Sequence, residues 1–516
     1  MQTTSPKKIG AMVSATIAAI LLLSGCKAMG ASAISSGSSQ DLGNQTYITA
    51  AGSYTFSGDI SESIIVEVSK EDEVEIILDN ASVSSSTNSP IYIIEAKDVK
   101  ITLVENSSNT VTDNRAPATE EASEEAGNNA AIYSKADLKI KGEDGSSLTV
   151  IGNYKDGITG KDDLDFKKAT VTITAKDDGI IGKDSVEIDK STLTINAEDD
   201  AIRSDNTEDE TKGVITVEDS TISIIAGDDG ITAVQAIEIL SGTIDIQESY
   251  EGIEAKKITI HDGEINIVSK DDGLNVAEKK AVTESTQNTF TESGMRRGNR
   301  GMGGGGDMFA VLEGGELNIY GGTITINSGG DGFDSNGNAV MTGGTLIVNG
   351  PTNNGNGPID VNGNFEVSGG TIIAVGSSGM AETPDESSTQ YAIQVNFDQA
   401  LTAGTVVSLK DSSGNEIFSF TPEKQFQSVT YSSDKIQYGE TYSFLVNGEN
   451  YTTLTIESMI TKQGTGGGMG MGGGNMGMRE NRQGMLTTDP TQMPAQNMQM
   501  PAGGFEPPDN MGMRQQ

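Results

Sequence analysis

The 516-residue chain has no tryptophan, one cysteine and one histidine. A lone cysteine, Cys26, excludes an intrachain disulfide, so burial, backbone hydrogen bonds or bound metal must hold the fold. A lone histidine, His261, sits at a strand-to-turn edge in Thr259-Ile260-His261-Asp262-Gly263. It is a poor basis for a Ser-His-Asp triad or a zinc site. Basic residues are scarce: 34 Lys and Arg against 74 Asp and Glu give a net charge of −40. Nucleic acid is excluded as a partner, because displacing its counterions needs clustered positive charge. Bare anionic lipid is disfavoured for the same reason, and cations are the natural partners. Without tryptophan there is no indole platform for crystalline cellulose. The abundance of Gly, Ser, Thr and β-branched residues argues against helical bundles and coiled coils.

The start of the chain reads as an address. Lys7 and Lys8 precede a short apolar stretch at residues 9–23, followed by Leu23-Ser24-Gly25-Cys26. The stretch is short for a bilayer span and suits an export signal over residues 1–25. The last four residues resemble a bacterial lipobox, with Cys26 as the lipid-modified first residue of the mature protein. The expectation is an extracellular lipoprotein that touches the membrane only through its lipid. Residues 26–42 form a Ser/Ala/Gly tether, and residues 461–516, which carry ten of the 19 methionines, form a disordered tail.

The middle of the chain is a repeat. An acidic residue followed by a small one recurs at Asp156, Asp178, Asp200, Asp229, Glu251, Asp272 and Asp331, with gaps of 22, 22, 29, 22, 21 and 59. The gap of 29 contains the insertion 207–213, and the gap of 59 an Arg/Gly-rich insertion near 279–313; another polar insertion lies near 114–129. Five residues before the acid stand Ile173, Ile195, Ile224, Ile246, Ile267 and Ile326. One residue after the small position stand Ile158, Ile180, Ile202, Ile231, Ile253, Leu274 and Phe333. Short alternating strands at this period, with no helical stripe between them, describe one coil of a parallel β-helix. The fold class is therefore all-β, a parallel β-helix over residues 43–380. Residues 381–460 break the period and read as an antiparallel β cap or small β domain.

Stacked coils place the seven acids in one file, with Asp177, Asp199, Asp228 and Asp271 in a second beside it. Two like charges about 5 Å apart repel by roughly 3 kcal/mol at an effective dielectric of 20. Raised pKa values or bound cations would offset that repulsion. All-oxygen ligands favour calcium, which accepts six to eight of them. Asp-Gly pairs alone serve as turn formers, but doubled Asp-Asp-Gly or Asp-Asp-Ala at stacked positions exceeds what turns need. Lys161, Lys183 and Lys256 lie four residues after the small position and Arg203 two after it. They either neutralise the acids or hold the carboxylates of an acidic glycan.

The segments Asn129-Ala130-Ala131-Ile132-Tyr133-Ser134-Lys135, Gly152-Asn153-Tyr154-Lys155-Asp156-Gly157-Ile158, Asp177-Asp178-Gly179-Ile180 and Gly182-Lys183-Asp184-Ser185-Val186 carry a resemblance. They resemble a family of exported bacterial carbohydrate-binding proteins, best known from a cellulolytic clostridium. The resemblance spans about residues 43–380. It implies a right-handed β-helix like that of pectate lyases, bound calcium, and binding of polygalacturonate-type sugars and cellulose without demonstrated cleavage. The leading expectation is a calcium-dependent binder of acidic polysaccharide. A calcium-dependent pectate lyase, with Lys161, Lys183 or Arg203 as base, and a calcium-stiffened adhesin are the alternatives.

Overall fold

The computed structural model describes residues 45–118, 128–278 and 310–464, together with the strands Ile34–Ser35 and Ser39–Asp41. The signal, Cys26, most of the tether, much of the insertions near 114–129 and 279–313, and nearly all of the tail lie outside the described residues. Everything described belongs to one compact unit, residues 1–469. It is all-β, with no helix among the described residues, and most strands join one large, mainly parallel sheet.

The strands come in threes. Asp156–Gly160, Asp163–Lys167 and Thr170–Ala175 are followed by Ile180–Gly182, Ser185–Asp189 and Thr192–Ala197. Each pairs in parallel with its counterpart one repeat later: Ile158 with Ile180, Leu164 with Val186, Val171 with Leu193. Val186 pairs with Ile215 and Leu193 with Ile222, so the insertion at 207–213 loops out without disturbing register. Alternation decides what lies inside. Along Thr170–Ala175 the three threonines are exposed while Val171, Ile173 and Ala175 are buried. The files of Ile158 and of Ile173 run unbroken through the repeats and are almost wholly shielded from water.

The small residue after each acid has a different cause from the sharp turn its sequence suggests. Gly157, Gly179, Gly230, Gly252 and Gly273 do not occupy the left-handed region. A Cβ on Gly179 would stand 2.6 Å from both the Ala201 carbonyl oxygen and Ile195 Cγ2. Those positions are therefore glycine because the next repeat approaches too closely for a side chain, whereas the repeat of Ala201 has room for a Cβ. The left-handed corner lies elsewhere, before the third strand. Lys168 and Lys190 adopt φ near 51° there, and later repeats use Gly242 and Gly263.

At the far end the sheet changes sense. Strand Phe426–Ser432 pairs antiparallel with Thr371–Gly376 and with Ala392–Leu401. A separate antiparallel sheet contains Val407–Lys410, Glu416–Phe420, Thr441–Val446 and Glu449–Thr455. These strands share a second core around Phe397, Phe426, Tyr431 and Phe444.

The Gly179→Ala substitution is expected to lower unfolding stability by about 1–3 kcal/mol, the usual cost of overpacking. Gly160→Ala should cost much less, since its nearest neighbour would stand at an ordinary 3.5 Å. Urea unfolding of both variants measures the difference.

Candidate functional site

The acidic file forms where the chain enters the first strand of each repeat. Asp156, Asp178, Asp200, Asp229, Glu251 and Asp272 are buried, and Asp331 is half-buried. Their main chains form a ladder: the N–H of Gly157 donates to the Asp178 carbonyl, Gly179 to Asp200, Gly230 to Glu251 and Gly252 to Asp272. Several side chains strengthen it. Asp178 Oδ1 accepts the Asp200 N–H at 3.1 Å, Asp200 Oδ1 the Asp229 N–H at 3.0 Å, and Asp272 Oδ1 the Asp331 N–H at 2.7 Å. Each such carboxylate thus uses one oxygen to join coil to coil and turns the other toward its neighbours.

The second acidic file is more open. Asp177, Asp199 and Asp271 are part-exposed and Asp228 exposed, in the same ladder as Lys155 and Tyr250. Lys155 Nζ meets Asp177 at 2.8 Å. Carboxylate oxygens of Asp156, Asp177 and Asp178 converge within 4.8 Å of one another. So do those of Asp200, Asp228 and Asp229, and those of Asp229, Glu251 and Glu254. A further group, Asp137, Asp162 and Asp163, stands at the next turn of the coil. Asp271, Asp272 and Asp331 are stacked with the rest but form no such group among the described residues.

Sequence reasoning overlooked a third file two residues past the small position. The pairing register stacks Tyr92, Tyr133, Thr159, Ile181, Arg203, Thr232, Glu254, Asn275, Asp334 and Asp360. Extending the register of Arg203 to its neighbours would have found most of it. Three members or neighbours carry buried oxygens that no protein donor or acceptor meets: Asp156 Oδ1, Thr232 Oγ1 and Asn275 Oδ1. Asn275 Nδ2 donates to Glu251 Oε2 at 2.7 Å.

The basic residues divide. Arg203 lies among the acids, with Nη1 3.0 Å from Asp178 Oδ2 and 3.6 Å from Asp200 Oδ2, and Nη2 3.4 Å from Asp205. It neutralises this chain's own carboxylates. Lys183 reaches Glu208 only at 3.9 Å. Lys161 is exposed in the same file as Lys183, and Lys256 lies further along. His261 is half-exposed and meets Glu238 Oε1 at 2.8 Å, away from the acids.

Electrostatics mark the same channel. Burial pushes the Asp156 carboxyl up to about 6 against the pull of Lys155, and raises Asp178 well above the ordinary value. Burial, then the nearby Asp184, takes Asp162 to about 6. Burial, reinforced by Asp272 and Asp360, takes Asp331 to about 7, and Asp334 is raised well above its ordinary value. Although burial opposes its charge, Asp178 and Asp200 hold the Arg203 guanidinium above its ordinary value. Closely spaced carboxylates, with the buried Asp156 Oδ1 met by no hydrogen-bond donor, make up a set of hard oxygen ligands of the kind that could hold a divalent cation.

A family model for carbohydrate-binding domain-containing proteins matches residues 42–294. A carbohydrate-binding domain-containing protein of Acetivibrio thermocellus is 43% identical over 210 residues, which cover 40% of this chain and 72% of that protein. A solved structure of the polysaccharide lyase-like protein from C. thermocellum, as its gadolinium derivative, is 31% identical. That match has a TM-score of 0.36 and covers 43% of this chain and 84% of the other. On the 43% identity across 72% of the Acetivibrio thermocellus protein, the chain belongs to the family of carbohydrate-binding domain-containing proteins.

Proposed function

We propose that this chain is a calcium-dependent, non-catalytic binder of acidic, polygalacturonate-like polysaccharide. Its repeats form a right-handed parallel β-helix, and the protein is exported and held at the cell surface by lipid on Cys26. The observation that carries the reading is the acidic channel, above all the group of Asp156, Asp177 and Asp178, where a fully buried carboxylate oxygen has no protein donor. The residues fit calcium: the donors are carboxylate, amide and hydroxyl oxygens, with no sulfur or imidazole among them. Asp156, Asp177 and Asp178 would hold one ion, and Asp200, Asp228, Asp229, Glu251 and Glu254 would serve further along. When bound, calcium supplies positive charge that both the protein and a uronate can share. That matters because two polyanions otherwise repel.

One observation favours a lyase as the second reading. Although Lys161 is exposed as a residue, partial loss of water around its ammonium, with Arg203 and Lys183 nearby, holds that group below its ordinary value, which suits a base. An absorbance rise from unsaturated product during incubation with pectate would establish it.

Immobilised polygalacturonate should retain the protein in calcium and release it in chelator. Equal retention in both would overturn the reading. The metal-free protein also has a distinct pH response. Asp156 and Asp162 at about 6, and Asp331 at about 7, favour their protonated forms in the fold. Their contribution is complete below the ordinary 3.8 and is lost as pH rises through 6 to 7. In chelator the melting temperature should therefore fall between about pH 4 and pH 7, and calcium should flatten that fall. Calorimetric scans with and without the ion measure both.

A further inference from the structure

Beside the acidic channel, four residues after the small position of each repeat, the chemistry is different. Parallel pairing stacks Ser134 on Gly160 on Gly182, and the next residues continue the ladder: the Lys161 N–H donates to Ser134 and the Lys183 N–H to Gly160. Lys135, Lys161 and Lys183 thus form a file, about 4.8 Å apart per step. Asp205 follows on the next repeat. Three stacked ammonium groups repel one another as the carboxylates do. Among the described residues no carboxylate oxygen reaches Lys135 or Lys161 at ion-pair distance, although acids outnumber bases twofold in the chain.

The lysines stand beside tyrosines of the neighbouring file. Lys135 Nζ lies 6.0 Å from the Tyr92 ring centroid and Lys161 Nζ 5.8 Å from that of Tyr133. The two rings meet edge to face at 5.7 Å. Tyr133 is buried, its hydroxyl pushed up to about 12 by burial, and it braces Tyr92, which is part-exposed. Acids stand close by: Asp162 follows Lys161 in the chain, and Asp156 accepts from the Thr159 hydroxyl in the same strand.

We infer that Lys135, Lys161 and Lys183, with Tyr92 beside them, form a metal-independent subsite for successive uronate carboxylates of the glycan, running alongside the acidic channel. The inference rests on the acidic-polysaccharide reading above. A polyuronate offers the two matching features: carboxylates repeated along the chain for the lysine file, and apolar ring edges for tyrosine. Neutral glucans offer only the second. The two chemistries run side by side: calcium attaches uronates over the acids, and ammonium groups attach them one file further along the same repeats, with Lys135 one repeat beyond Asp156.

The test is calorimetric titration of the full chain with galacturonate oligomers in calcium, using wild type and the Lys135→Gln/Lys161→Gln double variant. Loss of two charge-assisted contacts should weaken binding about tenfold or more, with the affinity for calcium alone and the melting temperature unchanged. Tyr92→Ala should weaken it less. Unchanged oligomer affinity in the double variant overturns the subsite while leaving the calcium reading intact. A wild type that binds calcium but no oligomer overturns the acidic-glycan reading, and the subsite with it. A double variant that loses calcium affinity in step with oligomer affinity also overturns the subsite, because the lysines would then act through the acidic channel.

Discussion

The backbone ladder between successive repeats governs everything else in this protein. Because the main chains of successive repeats hydrogen-bond in one constant register, side chains at equivalent positions must stand above one another. Apolar files then cost nothing extra and fill the interior with isoleucine. Charged files accumulate like charge at the shortest spacing a protein allows. The acids escape part of that repulsion by accepting N–H groups from the neighbouring repeat, by raised pKa values and by the guanidinium of Arg203. What is left over is the closely stacked negative charge on which the calcium proposal rests.

The same rule explains what the sequence made legible. Ile173 and Asp178 each recur at fixed intervals, so their files and burial follow from spacing alone. The all-β character and the strand positions follow as well. The glycine file was placed correctly but for the wrong reason. A gap of 2.6 Å to the next repeat is a property of stacking, invisible in one repeat read by itself. Asp334 and Glu254 were missed because their file is chemically mixed: tyrosine, threonine, isoleucine and arginine occupy it on other repeats. Periodicity finds files that conserve their chemistry and overlooks those that vary it.

Arg203 shows why residue type and position must be read together. Counted from the small residue it stands two places on, whereas Lys161 and Lys183 stand four places on. On a strand those two offsets share a face but belong to adjacent files. One side chain is therefore committed to Asp178 and Asp200, and the others are left at the surface. Grouping all of them as one basic strip merged a counter-ion internal to the protein with residues free to meet a ligand.

The antiparallel strand Phe426–Ser432 has a consequence for solubility. A stack of identical parallel strands is its own best template, because its last member offers unpaired amides in the register that another copy would fill. Laying a strand of opposite direction along Thr371–Gly376 ends the register of the repeats there, and the sheet goes on only through this chain's own strands Ala392–Leu401 and Ile460–Gln463. The amides that the last repeat would leave unpaired are thus taken up within the chain, and that edge offers no repeat register for a second copy to extend.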